Sequence, residues 1–230
     1  MSMTTTQAIQ NTYLLATGKV TPPAAGTSKY EKILSLLNIF TQNWASEAGI
    51  DWKSLRTTAN VTGTVTATDT FALPATIAKV SKTRGDYVRI VHADGTTESD
   101  YTIVPIERLY NDESKLQGAG RFKVAISGGN LVFDKAFKST DPQFGGTIQV
   151  PGYITPPELD DGADLIAVDD PYWLCFMAAA EYVRNDITRV QQYGNLVAQA
   201  NNAMIGMKDD NNSATEEVTA IWSPLGETWR

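Results

Sequence analysis

The feature that most constrains this chain is a change of hydrophobic period that happens twice. Up to about Leu55, apolar residues recur at steps of three and four, the spacing of one helix face. From Arg56 to Thr155, Thr, Val and Ile dominate and Gly and Pro punctuate them. From Pro156 onward the helical spacing returns. A chain of 230 residues is long enough to bury a sizeable core. The order predicts an α+β fold: a helical core of N-terminal helices plus a long C-terminal helix, with a small antiparallel β domain inserted between them. The expected divisions are residues 1–55 for the N-terminal helices, 56–155 for the β domain, 156–212 for the long helix completing the core, and 213–230 for an extended C-terminal tail.

Within the first part, Thr6–Thr17 predicts a short helix ended by Gly18, with Ile9 and Tyr13 on one side. A second helix is expected from Ser28, which with Glu31 has the spacing of a capping box. Tyr30, Ile33, Leu37, Phe40 and Trp44 then mark its apolar face, and Gly49 is a natural stop. In the middle part, strands are expected at Val61–Thr66, Phe71–Leu73, Tyr87–Val91, Tyr101–Val104, Arg121–Ile126, Asn130–Phe133 and Thr147–Val150 with Tyr153. The Asp94-Gly95 pair predicts a type I′ hairpin and Gly128-Gly129 a second one. Ile106–Tyr110 reads as a helical turn.

The last part opens on an acidic stretch containing Glu158, Asp160, Asp161, Asp164, Asp169 and Asp170. Asp170 as N-cap with Pro171 in the first helical position is a favoured helix start. Tyr172–Ala180 is apolar nearly all round and predicts a central position. Val183, Ile187, Val190, Val197 and Met204 continue a helical stripe, with Gly194 as a candidate kink. The helical pattern fades at the polar run Lys208–Ser213, which is expected to be mobile. The tail beyond it holds Ile221, Trp222, Pro224, Leu225, Trp229 and Arg230. Large apolar groups are uncommon on a chain terminus, and tryptophan is enriched among interface anchors, so the apolar ones either fold back onto their own domain or bind another subunit; with Arg230 they are the candidate docking site.

Catalytic chemistry finds little to work with. His92 is the only histidine and Cys175 the only cysteine, so an internal disulfide is impossible and a cysteine-based zinc site has no basis. Cys175 lies in the most apolar stretch, which predicts a buried, inert thiol. Gly128-Gly129 and Gly145-Gly146 lack the surroundings of a phosphate loop, and the acidic stretch does not follow the EF-hand pattern. No catalytic residue, cofactor or metal site is expected. The net charge of −7 disfavours nucleic-acid binding, which draws its affinity from phosphate neutralisation. The densest apolar run falls well short of the roughly 20 residues a bilayer requires, and Met1–Gln10 shows no secretion-signal pattern.

Three stretches carry a resemblance. The first is Thr70-Phe71-Ala72-Leu73-Pro74-Ala75 followed by Ile77-Ala78-Lys79-Val80. The second is Gly120-Arg121-Phe122-Lys123-Val124 with Gly128-Gly129-Asn130-Leu131-Val132-Phe133, leading into Thr147–Tyr153. The third is Leu159-Asp160-Asp161 through Val168, then Pro171-Tyr172 and Ala178-Ala179-Ala180-Glu181-Tyr182. In order and spacing they resemble the head-to-tail adaptor (connector) proteins of tailed bacteriophages, over most of the chain. The pattern departs from that family at Phe122, where a tyrosine is expected, and at Asp169-Asp170-Pro171.

The resemblance implies a non-enzymatic structural virion protein, made in the host cytoplasm and placed at the head–tail junction. It implies a homo-oligomeric ring, usually a dodecamer, around a channel through which genomic DNA passes without specific binding. Its partners would be the portal protein, a tail, nozzle or neck protein, and itself. The tail residues would fill apolar pockets on the portal, with Arg230 pairing to acids there, and the polar stretch from Lys208 to Thr215 would be the hinge that lets the tail extend. Another neck or tail-completion protein is the alternative within the same class. A carbohydrate-binding or hydrolytic β-domain protein is the alternative of a different class, with Trp52, Tyr87, Tyr101 and Tyr110 as sugar-stacking candidates.

Overall fold

The computed structural model describes residues 2–47, 50–81, 86–109, 122–160 and 162–222, and of 213–222 the backbone only. The chain divides into two units. One is Arg56–Thr155; the other combines Met1–Leu55 with Pro156–Arg230. The fold is mixed α+β.

The first unit is helical. Helix α1, Thr5–Thr17, begins at Thr4, whose hydroxyl accepts from the Gln7 N–H while the Gln7 side chain accepts from the Thr4 N–H. This reciprocal box satisfies two donors that a helix start otherwise leaves free. Gly18 closes the helix in the left-handed region, at φ 73°. Helix α2, Ser28–Ala45, is capped by Thr27, not by Ser28. Both residues carry the hydroxyl that capping needs, so composition alone left the position one residue open. Ile33, Leu37, Thr41 and Trp44 of α2 are buried. After a single helical turn at Lys53–Leu55 the chain leaves this unit, and it returns at Pro156. Asn38 then clamps the returning segment through both backbone groups of Leu159, at 2.8 and 3.0 Å. Helix α4, Pro171–Val183, starts at Asp170 with Pro171 inside it and buries Trp173, Leu174, Cys175 and Ala178–Ala180.

The long C-terminal helix expected from Asp170 is two helices. The chain turns after Val183, and Asp186 caps a short turn, Ile187–Arg189, by accepting from the Thr188 N–H. Helix α5 then runs from Val190 to Trp222, through Gly194. Ile187 and Val190 are 89% and 67% exposed, so the predicted stripe does not cross the turn. Instead Leu196, Tyr193 and Val197 of α5 pack with Ala16, Ala179, Ala180 and Val183 of α1 and α4. The run Lys208–Ser213 is neither a helix end nor a hinge: it lies inside α5. Its polar groups dock the helix, Lys208 on Glu47 at 2.9 Å and Asn211 on the Asp51 carbonyl at 3.1 Å.

The second unit is a curled sheet. Its strands are β1 (Arg56–Asn60), β2 (Thr70–Ala72), β3 (Lys79–Val80), β4 (Tyr87–Val91), β5 (Glu98–Ile103), β6 (Lys123–Ser127), β7 (Asn130–Phe133) and β8 (Thr147–Tyr153), with a helical turn, α3, at Ile106–Leu109. Seven strands lie in the order β1-β8-β4-β5-β6-β7-β2, and β3 pairs with β8 beside them. Two expectations are corrected. The sheet is mixed, because β5 and β6 run parallel, and the strands are the larger part of the fold, not a small insert.

The turns explain the pairings. Gly128 and Gly129 both have positive φ, the backbone of a type I′ turn, and join β6 to β7. The Asp94-Gly95 loop is not type I′: no residue other than glycine has positive φ among the described residues, so Asp94 lacks the required conformation. There the Gly95 N–H closes a turn onto the His92 carbonyl, and the Asp94 carboxylate accepts from the Thr96 and Thr97 N–H groups and the Thr97 hydroxyl. Val61–Thr66 is not a strand either. Val61 and Val65 are buried and donate to the Ile148 and Gly146 carbonyls, but Gly63 at φ 88° breaks the extension between them. The core of the sheet holds Phe71, Val88, Ile90, Tyr101, Val124, Leu131, Phe133, Phe137, Ile148 and Val150. Each such large side chain contributes about 1.5–3 kcal/mol by leaving water.

Candidate functional site

The six candidate docking residues occupy the end of α5 and the segment beyond it. Ile221 and Trp222 are the last two residues of the helix; Pro224, Leu225, Trp229 and Arg230 lie outside the described residues. What the structure defines is how the helix that presents them is held.

Two sets of polar contacts fix α5. Near its start, the Arg189 guanidinium and the Gln192 amide donate to the last carbonyls of α1, Leu15 and Ala16, with Gln192 at 2.6 Å from the Leu15 oxygen. A helix C-terminus leaves such carbonyls without intrahelical partners and carries partial negative charge, so a cation and an amide there satisfy both needs. Further along, Lys53 donates from Nζ to the Asp210 carbonyl at 2.9 Å and from its backbone to Asn211 at 3.2 Å. The sulfur of Met207 lies 3.2 Å from the Asp170 N–H. Between these contacts is a cleft of about 490 Å³ lined by Lys53, Asp169, Asp170, Ala203, Met207 and Asp210, among others. Asp170 is committed to capping α4.

The lone cysteine and the lone histidine both sit in structural settings. Cys175 is fully buried, with Met3 and the Ala8 carbonyl beside its sulfur. Burial pushes its thiol up to about 12, so the thiolate a nucleophile requires does not form near neutral pH. His92 Nε2 lies 2.7 Å from the Ser99 hydroxyl, which also accepts from Gln143 at 3.2 Å. Ser99 and Gln143 are both buried. This cluster pins the β4–β5 loop to the segment before β8, a contact that sequence spacing did not signal. The exposed Asp94 carboxyl is held well below the usual carboxylate range by the hydrogen bonds from Thr97 and Thr96. Acidic residues before Pro171 serve the backbone: Asp164 accepts from the Asp160 N–H through its side chain and from Thr5 through its carbonyl. Among the described residues no group of three or more His, Cys, Asp or Glu is placed to hold a metal ion.

Two of the sugar-stacking candidates are core residues. Trp52 is 1% exposed, stacks on Trp44 with ring centroids 4.9 Å apart, and donates its indole N–H to the Trp44 carbonyl at 2.7 Å. Tyr101 is 3% exposed among Phe122, Phe133 and Phe137, and burial, with Asp134 and Asp141 nearby, raises its phenol. Tyr87 is exposed, and Tyr110 lies outside the described residues. No described helix is long and apolar enough to cross a membrane. Comparison with protein-family models and with curated proteins gave no match.

Proposed function

We propose that this chain is a structural subunit of a tailed-bacteriophage particle: a head-to-tail adaptor that forms a ring, of twelve copies in the family it resembles, between portal and tail. The observation that carries the reading is the path of the chain. Two N-terminal helices are followed by a strand-rich unit, and the chain then returns to helices that pack on the first two. The last described element is a helix of 33 residues, roughly 50 Å long at 1.5 Å per residue. In this reading the β unit is an insertion in a helical core, and α5 carries the docking residues toward the portal. Trp222, Leu225 and Trp229 fill apolar pockets there, supported by Ile221 and Pro224, and Arg230 pairs with acidic groups.

The remaining partners are a tail, nozzle or neck protein and the genomic DNA. A net charge of −7 suits a channel that DNA must slide through without adhering, since phosphate binding needs positive charge. The protein would be made in the host cytoplasm and end in the virion, acting by ring-symmetric docking in which many modest contacts sum. Burial of Trp52 and Tyr101 weighs against the carbohydrate-binding alternative. The test is a chain ending at Asn212, titrated against purified portal rings. The proposal predicts loss of binding; undiminished affinity would overturn the docking assignment.

A further inference from the structure

Helices α4 and α5 run back along each other, Leu196 packing with Val183 and Met207 meeting Asp170. The two ends of this pair differ in sign and in shape. At the end where α4 begins lies the cleft of about 490 Å³. Met207, buried, and Ala203, half-buried, give it an apolar part; Asp169 and Asp210, both exposed, line it with Asp170. The cation in the lining, Lys53, is turned onto the Asp210 carbonyl. Lys208 beside it is paired with Glu47, and Asp209 adds a further exposed carboxylate. This end is negative.

At the other end the turn from α4 to α5 holds out Ile187 and Val190, 89% and 67% exposed. Arg184 and Arg189 flank Ile187 and are matched by Glu181 and Asp186. Further cations gather there. Lys19 follows the end of α1 that Arg189 and Gln192 bind, and Lys32 Nζ lies 4.6 Å from the centre of the Tyr182 ring. Lys29 is in the same first turn of α2, where Glu31 offsets one of the three lysines. This end is positive.

The two ends complement each other. One presents an aliphatic projection bordered by positive charge, and the other an apolar recess bordered by carboxylates. Aliphatic side chains gain by leaving water, and Ile187 has almost none of that gain in the single chain. From Val190 to Ala203 helix α5 rises roughly 20 Å, so the turn cannot fold into its own cleft; it can enter that of a second copy. Charge selects this pairing. Turn on turn or cleft on cleft opposes like charges, whereas turn on cleft joins opposite ones.

We infer that the α4–α5 turn of one copy docks in the cleft of the next. Such a head-to-tail contact repeats from copy to copy and closes into a ring when the rotation allows; the inference rests on the ring reading above only for that closure. The test is sedimentation velocity of the full chain over a concentration series, at low and at high salt, without portal or DNA. Wild type is expected to associate, and less so at high salt. Ile187→Glu, which turns a carboxylate toward the acidic cleft, is expected to associate at least about tenfold more weakly. Asp169→Lys and Arg184→Glu, both at exposed positions, each weaken association alone. Their equimolar mixture restores it, because the reversed cleft of one chain meets the reversed turn of the other. Lys135→Glu makes the same charge change at an exposed position of the β unit and associates as wild type. Ile187→Ala repeats the test should Ile187→Glu fold poorly. A wild-type chain that stays monomeric at its highest soluble concentration, folded variants that associate as it does, or a mixture no stronger than its parts would overturn the inference. Portal binding is scored separately, on the chain ending at Asn212: its failure removes the adaptor reading and leaves this contact standing, since no portal enters the association assay.

Discussion

Trp44 and Trp52 form a controlled comparison within the helical unit. They are 0% and 1% exposed and stacked on each other, so replacing either with phenylalanine removes a similar amount of packing. Their N–H groups differ. Trp52 donates to the Trp44 carbonyl, whereas the Trp44 N–H is buried without a partner among the described residues. Trp52→Phe therefore loses a net hydrogen bond, about 1 kcal/mol. It does not orphan the carbonyl, which still accepts from the Glu47 N–H. Trp44→Phe instead removes an unsatisfied buried donor, which costs the wild type about 1–3 kcal/mol. The packing losses largely cancel in the difference, so Trp52→Phe should be the more destabilising by roughly 2–4 kcal/mol. Urea unfolding followed by tryptophan fluorescence is the assay, because the segment Arg56–Thr155 contains no tryptophan and four of the five remain in each variant. If Trp44→Phe costs as much as Trp52→Phe, the unpaired donor is not a real liability and the reasoning fails.

Three further predictions are simpler. Cys175 should resist thiol reagents in the native chain and react fully on denaturation. Its thiol is raised from 9.0 to about 12, so the helical unit should hold its stability below pH 9 and lose it as pH climbs toward 12, in urea midpoints measured across that range. Gly129, at φ 76° in the β6–β7 turn, should cost about 1–2 kcal/mol on replacement by alanine, read as faster hydrogen exchange of the β6 and β7 amides.

The elements legible in the sequence are those whose determinants are local. The Asp170-Pro171 start of α4 and the Gly128-Gly129 turn were readable because capping and positive φ are decided within a few residues. Strands β4 and β7 were readable from dense β-branched and aromatic residues. Strand β1, Arg-Thr-Thr-Ala-Asn, has no large apolar side chain because it is an edge strand, and nothing in its composition marks it. Strand β3 has two residues, and its place is set by β8. The Pro151 carbonyl accepts from the Ser81 N–H, so the donor that proline lacks falls at the gap between β3 and β4. A side chain at Gly152 would come within 2.6 Å of the Lys79 carbonyl oxygen. Pro151-Gly152 reads as a strand end only until β3 is known to cross there. The parallel β5–β6 pairing joins segments about twenty residues apart, and no local pattern encodes it.

The candidate site was legible in a different sense. Sequence reasoning picked out the tail because its tryptophans lack a local reason to exist, but it treated Lys208–Ser213 as a linker because six polar residues resemble one. Their partners, Glu47, Asp51 and Lys53, lie far away in sequence, so the docking role was invisible to a local reading. Helix α5 packs on α1 and α4, and Lys208, Asp210 and Asn211 bind Glu47, Lys53 and Asp51 in the segment after α2. Those partners come from the opposite end of the helical unit's sequence, so no window of α5 alone shows how it is held.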